Sequence, residues 1–301
     1  MLRQLLEKFY SVEELVPITE RPGVSVFRAT LDGRRMALKV HARKSAFIRE
    51  LDALSLAEKV KIAVPSLVDS ISENEYHIIV QSWVSGVPAS EHFSQLENRS
   101  RLAIVGSASR ELAKLQTGIS RDDLMHHSFW KQENDPTSFE RFSWNEHLTS
   151  QIEKWAGRIR DVCLAGFKDC LVNFVKNIPE PTELKFIHRD FVLRNFLCDG
   201  AGFVAMIDFE AASIGDPLWD LAKMNLLELN SDPSLKRHWL TTWERTSGRV
   251  ADIRRIEIYE AIEAFAFVAW VDKQPKDYVT VGMKTQQDSC ARFLRQFLGR
   301  G

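Results

Sequence analysis

Between Ile187 and Met224 the chain reads IHRDFVLRNFLCDGAGFVAMIDFEAASIGDPLWDLAKM, and this span constrains the fold more than any other. Apolar residues flank His188, Arg189, Asp190, Arg194 and Asn195, so short buried strands must hold a polar loop beside the core. DGAG (199–202) marks a turn, and FVAMID (203–208) reads as the returning strand, ending on a second aspartate. Two short β segments thus deliver Asp190, Asn195 and Asp208 into one small region. Hard oxygen donors in such a cluster suit magnesium, which keeps several waters and needs one or two carboxylates beside phosphate oxygens. One carboxylate then stays free to accept a proton from a hydroxyl, which completes the parts that phosphoryl transfer from a nucleotide requires. HRD or ID alone carries little information. The ordered set is specific: HxD, Asn five residues after the Asp, a hairpin, ID, then GDPxxD.

Around this span the chain divides into a smaller β-rich part and a larger helical part, with a boundary near 82–90. SVFRAT (25–30) and RRMALKV (34–40) flank Asp32-Gly33, a hairpin signal because glycine accepts positive φ. KSAFIRELDALSLAEKV (44–60) carries a helical stripe at Phe47, Leu51, Leu54 and Leu56; Pro65 breaks it, and HIIVQSWV (77–84) reads as a strand. SRLAIVGSASRELAKLQ (100–116) is the clearest helix. The polar segment DDLMHHSFWKQENDPTS (122–138) leads into helices around 139–160 and 161–177, which PEP (179–181) ends. From Pro217 on the chain is mostly helical. The opening MLRQLLEKFYSVEELV places Leu2, Leu5, Leu6 and Phe9 at helical spacing, so it reads as an amphipathic helix and not as a signal peptide.

Composition excludes several classes. With 301 residues, 45% apolar and 27% charged, the chain is of ordinary soluble type. A net charge of −1 leaves no basic footprint for nucleic acid. AFAFVAW (264–270), its most apolar run, is far too short to cross a bilayer, so no membrane partner is expected. Cys163, Cys170, Cys198 and Cys290 form no CxxC pair, which argues against a disulfide framework or zinc site and for a reducing cytoplasm.

IHRDFVLRNFL and MIDFEAASIGDPLWDLA resemble the aminoglycoside phosphotransferase and choline kinase family, relatives of the protein kinases. RPGVSVFRATLDGRRMALKV (21–40) resembles that family's nucleotide-covering hairpin and lysine strand. FIREL (47–51) resembles the helix carrying the lysine's partner, and VPSLVDS (64–70) with IIVQSWVSGVP (78–88) the segments leading to the interlobe hinge. The resemblance implies an α+β, bilobal protein-kinase-like fold: a nucleotide-binding N-lobe over 1–84 and a catalytic, acceptor-binding helical C-lobe over 85–301. It implies transfer of the γ-phosphate of ATP, with GTP left open, in the presence of Mg2+ to a hydroxyl of a small molecule. Monomer and homodimer are both compatible with it.

Carried over by position, the resemblance makes Asp190 the catalytic base and Asn195 and Asp208 the magnesium ligands. Lys39 becomes the phosphate contact, Glu50 its ion-pair partner, and Gly23 and Ser25 part of the loop over the phosphates. The backbone around Gln81, Ser82, Trp83 and Val84 becomes the edge that hydrogen-bonds adenine. Arg194 reaches either the transferring phosphate or solvent, His188 braces the loop, and Asp216 and Asp220 cap or brace the helix entered at Pro217. Three positions depart from the family pattern: a single glycine, Gly23, in the covering loop; Arg189 where many members read HGD; and Gln116 where histidine is frequent. Only seven residues separate Asp208 from Asp216, too few for the activation segment of a protein kinase. A protein kinase and a catalytically silent nucleotide-binding module remain the competing readings.

The acceptor is not legible. RRIEIYEAIEAFAFVAWVDK (254–273) offers Glu257, Glu260, Glu263 and Asp272 with Tyr259, Phe265, Phe267 and Trp270. That pattern suits an aminoglycoside-like or choline-like amine, but a solvated acidic face over an aromatic core is the reading it favours. Sugars and amino alcohols complete the candidate acceptors.

Overall fold

Alternating apolar residues build the first layer, a five-stranded antiparallel sheet in the order β1-β2-β3-β5-β4. Its strands are β1 Val12–Arg21, β2 Val24–Leu31, β3 Arg34–His41, β4 Leu67–Glu73 and β5 Tyr76–Ser82. The computed structural model describes residues 2–73, 75–126, 142–200, 202–229 and 231–299. Asp32 and Gly33, at φ 49° and 72°, make the β2–β3 turn with the two consecutive left-handed residues that a tight hairpin demands. The period of two sets the faces. Leu38, Ile78 and Val80 point to a small core capped by Leu5 and Leu6, whereas Lys39 and Ile79 point the other way, toward the helix Lys44–Lys59.

The N-terminal helix is much shorter than its apolar spacing suggests. It covers only Leu2–Leu6, Phe9 is exposed, and the chain from Val12 is β1. Pairing with β2 over nearly its whole length overrides the local helical pattern, and Pro17 fits because β1 is the outer strand.

A larger hydrophobic core joins Phe47 and Leu54 of the helix Lys44–Lys59 to the helices Asn98–Gly118, Pro233–Ser247, Ile253–Lys273 and Val281–Leu298. The expected helix around 139–160 is present as Trp144–Ala156; residues 127–141, with much of the preceding polar segment, lie outside the described residues. The stretch 161–177 is two helices, Val162–Ala165 and Lys168–Asn177, because Asp161 caps the first one and Gly166 and Phe167 separate them. Among the described residues no helix is long and apolar enough to cross a membrane.

Small β elements lie between the sheet and these helices. β6 Val87–Pro88 pairs with β8 Phe196–Asp199, which pairs with β9 Gly202–Met206, and β7 Lys185–Ile187 pairs with β10 Ser213–Gly215. Gly215 permits the last pairing: a Cβ there would fall 2.5 Å from Ile187 Cδ1 and 2.6 Å from the Trp144 ring. The Met206 N–H donates to the Ala63 carbonyl at 2.8 Å and ties β9 to the N-terminal half.

Candidate active site

The loop between β7 and β8 is locked from three sides. His188 is fully buried against Phe191 and Phe209, and its Nε2–H donates to the Ile207 carbonyl at 3.2 Å. The Ile207 N–H in turn donates to the Asn195 carbonyl at 3.0 Å, so Asp208 is held next to the loop. From below, the Asp220 carboxylate accepts the N–H groups of His188 and Arg189, each at 2.8 Å. Gln116 also donates to Asp220, at 3.2 Å, while accepting from Trp243 Nε1 at 2.8 Å. Arg189 and Asp208 both have left-handed backbones, φ 64° and 69°, a cost that non-glycine residues bear mainly at functional sites. The Arg189 position is one where glycine would sit without strain, and here both its N–H and its carbonyl, the latter receiving Lys223 Nζ at 2.8 Å, are clamped.

A chain of charges crosses from the sheet to this loop. Lys39 Nζ lies 2.7 Å from Glu50 Oε2 and 2.5 Å from Asp208 Oδ1. Burial alone would lower the Lys39 pKa, but Glu50, Asp208 and Glu210 together hold it above its ordinary value. Burial would likewise raise Glu50 and Asp208; Lys39 beside both, with a hydrogen bond from His41 to Glu50 and the Arg21 charge at Asp208, keeps both below the usual carboxylate range. Arg21 closes the chain from the end of β1. Its Nη2 donates to Asp208 Oδ2 at 2.9 Å and to Glu210 Oε1 at 3.1 Å. Each Asp208 oxygen therefore faces a cation.

That filled position is the observation on which a metal can be tested. Asp208 offers hard oxygens, and Asn195 spends its Nδ2 on Asp190, which turns its amide oxygen into the remaining donor. The Arg21 guanidinium stands in for positive charge at the carboxylate, so the donor set fits Mg2+. His41, Glu50 and Glu210 also bring ligand atoms within 4.8 Å of one another. They do not fit a resident metal, because the Lys39 ammonium already lies 2.7 Å from Glu50 and 3.9 Å from Glu210.

Asp190 is the most heavily contacted carboxylate in the site. Arg194 Nη2 donates to both its oxygens, at 2.9 and 2.7 Å, and Asn195 Nδ2 to Oδ2 at 3.0 Å. Lys223 Nζ, more enclosed than Arg194, lies 3.3 Å from Oδ1. Burial would raise the Asp190 pKa, but Lys223 and Arg194 hold it well below the usual carboxylate range. Such a group orients a hydroxyl and is a weak base in the ground state.

The remaining residues divide. Gly23 lies in the β1–β2 connection, and Ser25 pairs in β2 with Glu20 and Val40, partly exposed. At the hinge, Ser82 and Trp83 already donate their N–H groups to the Ser66 and Arg35 carbonyls, at 2.9 and 3.4 Å. Asp216 braces the GDP turn: it accepts from Leu218 N–H, Arg255 Nη1 and Tyr259 OH at 2.9, 2.8 and 2.9 Å. The acids of the helix Ile253–Lys273 divide, with Glu257 exposed and Asp272 partly so. Glu260 and Glu263 are buried, the first paired with Lys236 at 2.7 Å and the second with Lys223 at 3.5 Å. Phe265 and Tyr259 are core, Trp270 is exposed, and Asp272 accepts the Arg160 N–H at 2.8 Å. Sequence reasoning missed Arg21 and Lys223. The one available signal was that Lys223 follows Asp220 by three residues, which puts both on one helix face.

On this protein-kinase-like fold a strand lysine paired with a helix glutamate faces an aspartate–asparagine loop and a second aspartate. The chain belongs to the phosphotransferase enzyme family, whose sequence profile matches residues 16–258. Its fold is similar to that of aminoglycoside phosphotransferase APH(4)-Ia, solved with AMP-PNP and hygromycin B: TM-score 0.68 and 19% identity over 99% of this chain and 98% of that one. It is similar to macrolide 2'-phosphotransferase MphH from Brachybacterium faecium, with TM-score 0.63 and 14% identity over 97% and 96% of the two chains. It is also similar to APH(2")-IIa, solved with gentamicin, with TM-score 0.61 and 17% identity over 99% and 94%. No curated protein matches the sequence.

Proposed function

We propose that this protein transfers the γ-phosphate of ATP, with Mg2+, to a hydroxyl of a small molecule. The observation that carries this reading is Asp190: an ionised carboxylate held by Asn195 and Lys223, beside the Lys39–Glu50–Asp208 chain. Asp190 accepts the acceptor's hydroxyl proton and aims its oxygen as the new O–P bond forms and the bond from the γ-phosphorus to the leaving ADP oxygen breaks. Lys39, kept charged by Glu50, neutralises the nucleotide phosphates, and the Gly23–Ser25 loop covers them. Asp208 and the Asn195 amide oxygen would hold the metal, which would supply charge neutralisation on the phosphate oxygens when bound. Of the hinge amides named above, Val84 is the donor for the adenine, since Ser82 and Trp83 are engaged within the protein. Residues 1–84 form the nucleotide lobe and 85–301 the catalytic and acceptor lobe. Four free cysteines, two of them exposed, suit a reducing cytoplasm.

Relatives solved with AMP-PNP, ADP, hygromycin B and gentamicin support ATP as the donor and hydroxyl-bearing antibiotics as the first acceptors to examine. Amino alcohols and sugars follow. Mass spectrometry of such a panel with ATP and Mg2+ tests the reading: gain of one phosphate on a small molecule supports it, and phosphate on added polypeptides alone contradicts it.

A further inference from the structure

The turn that joins β1 to β2 has few hydrogen-bond donors of its own. Arg21 pairs with Val24, so the connection is Pro22 and Gly23 alone. Proline carries no N–H, which leaves the Gly23 amide as the one backbone donor of the turn. A glycine-rich loop over phosphates presents several such amides. The strand lysine does not make up the difference. Three carboxylate oxygens, two from Glu50 and one from Asp208, lie within 2.9 Å of Lys39 Nζ, one for each of its N–H bonds. Lys39 brings charge to the site, but its donors are spent and its side chain is only 8% exposed.

Arg21, the residue directly before the turn, has donors to spare. A guanidinium carries five N–H bonds. Nη2 makes two contacts, to Asp208 Oδ2 at 2.9 Å and to Glu210 Oε1 at 3.1 Å. The N–H bonds of Nη1 and Nε have no partner among the described residues, and neither nitrogen is shut away from solvent. The side chain is 32% exposed, four times the value for Lys39, and both cations lie on the same Asp208 carboxylate. Unspent donors on a fixed cation, beside the turn that lacks them, suit the oxygens of a phosphate chain. Glu210 keeps the guanidinium at the site when Asp208 is given to a metal.

We infer that Arg21 is a phosphate-binding residue for the nucleotide, donating from Nη1 and Nε in place of the backbone amides that the short turn lacks. This inference rests on the function proposed above.

The experiment is calorimetry of the full-length chain in EDTA, so that no divalent ion competes for Asp208. ATP and adenosine are each titrated into wild type, Arg21→Gln and Arg21→Lys. Arg21→Gln should bind ATP at least about tenfold more weakly than wild type, and adenosine equally well. Arg21→Lys should fall between the two for ATP, because one ammonium cannot span both acids and a phosphate as the wider guanidinium does. It also serves alone if Arg21→Gln does not fold. ATP affinity unchanged in Arg21→Gln overturns the inference, as does an equal loss for adenosine, which would mark a merely structural role. Arg21→Lys matching wild type for ATP overturns it too, since charge alone would then suffice. A wild-type chain that binds ATP with Mg2+ but not in EDTA counts against Arg21 alone. One that binds no ATP under either condition sinks the proposed function as well.

Discussion

Asp220 holds Arg189 in a left-handed backbone: the Arg189 N–H, at φ 64°, donates to Asp220 Oδ1 at 2.8 Å, and the His188 N–H takes the other oxygen. Burial pushes the Asp220 carboxyl up to about 7, against the lowering effect of those N–H groups and of Lys223. Its folded pKa thus lies above its unfolded value of about 3.9, so the folded state binds the extra proton and this group's contribution to stability falls as pH rises from about 4 to 7. Asp220→Asn, which keeps an accepting oxygen but cannot ionise, should gain on wild type across that window in urea unfolding. Asp220→Ala should lose roughly 2–5 kcal/mol at every pH, because two buried N–H groups lose their acceptor.

Gly215→Ala should destabilise the fold by about 1–3 kcal/mol, since its methyl would lie 2.5 Å from Ile187 and 2.6 Å from Trp144, both packed in the core. Thermal unfolding of the variant measures this. A melting temperature equal to wild type would mean that β7 and β10 separate more readily than their packing implies.

What could be read from sequence was local. The Asp32-Gly33 hairpin, the helices over 44–60 and 100–116, and the order from Asp190 to Asp220 depend on neighbours a few residues apart. The misses were long-range. Helical spacing at Leu2–Phe9 hid an outer strand whose stability comes from β2, and acids on a helix looked solvated because their partners, Lys223 and Lys236, come from other helices. Arg21 is the extreme case: it meets Asp208 across 187 positions, through a register that no local pattern encodes.

In the proposed function a divalent cation would compete with Arg21 for the Asp208 carboxylate. Arg21→Ala should therefore strengthen Mg2+ binding to the nucleotide-free protein, by roughly tenfold, read as a larger rise in melting temperature on Mg2+ addition than wild type shows. An identical response in both would place the metal away from Asp208.

The account stands most directly on Asp190. Mass spectrometry of the wild-type chain and Asp190→Ala, each with ATP, Mg2+ and the same acceptor panel, should show one phosphate gained by a small molecule with wild type and none with the variant. ATP binding, followed by calorimetry, should be retained in both. Phosphate transfer by Asp190→Ala at the wild-type rate would contradict the account.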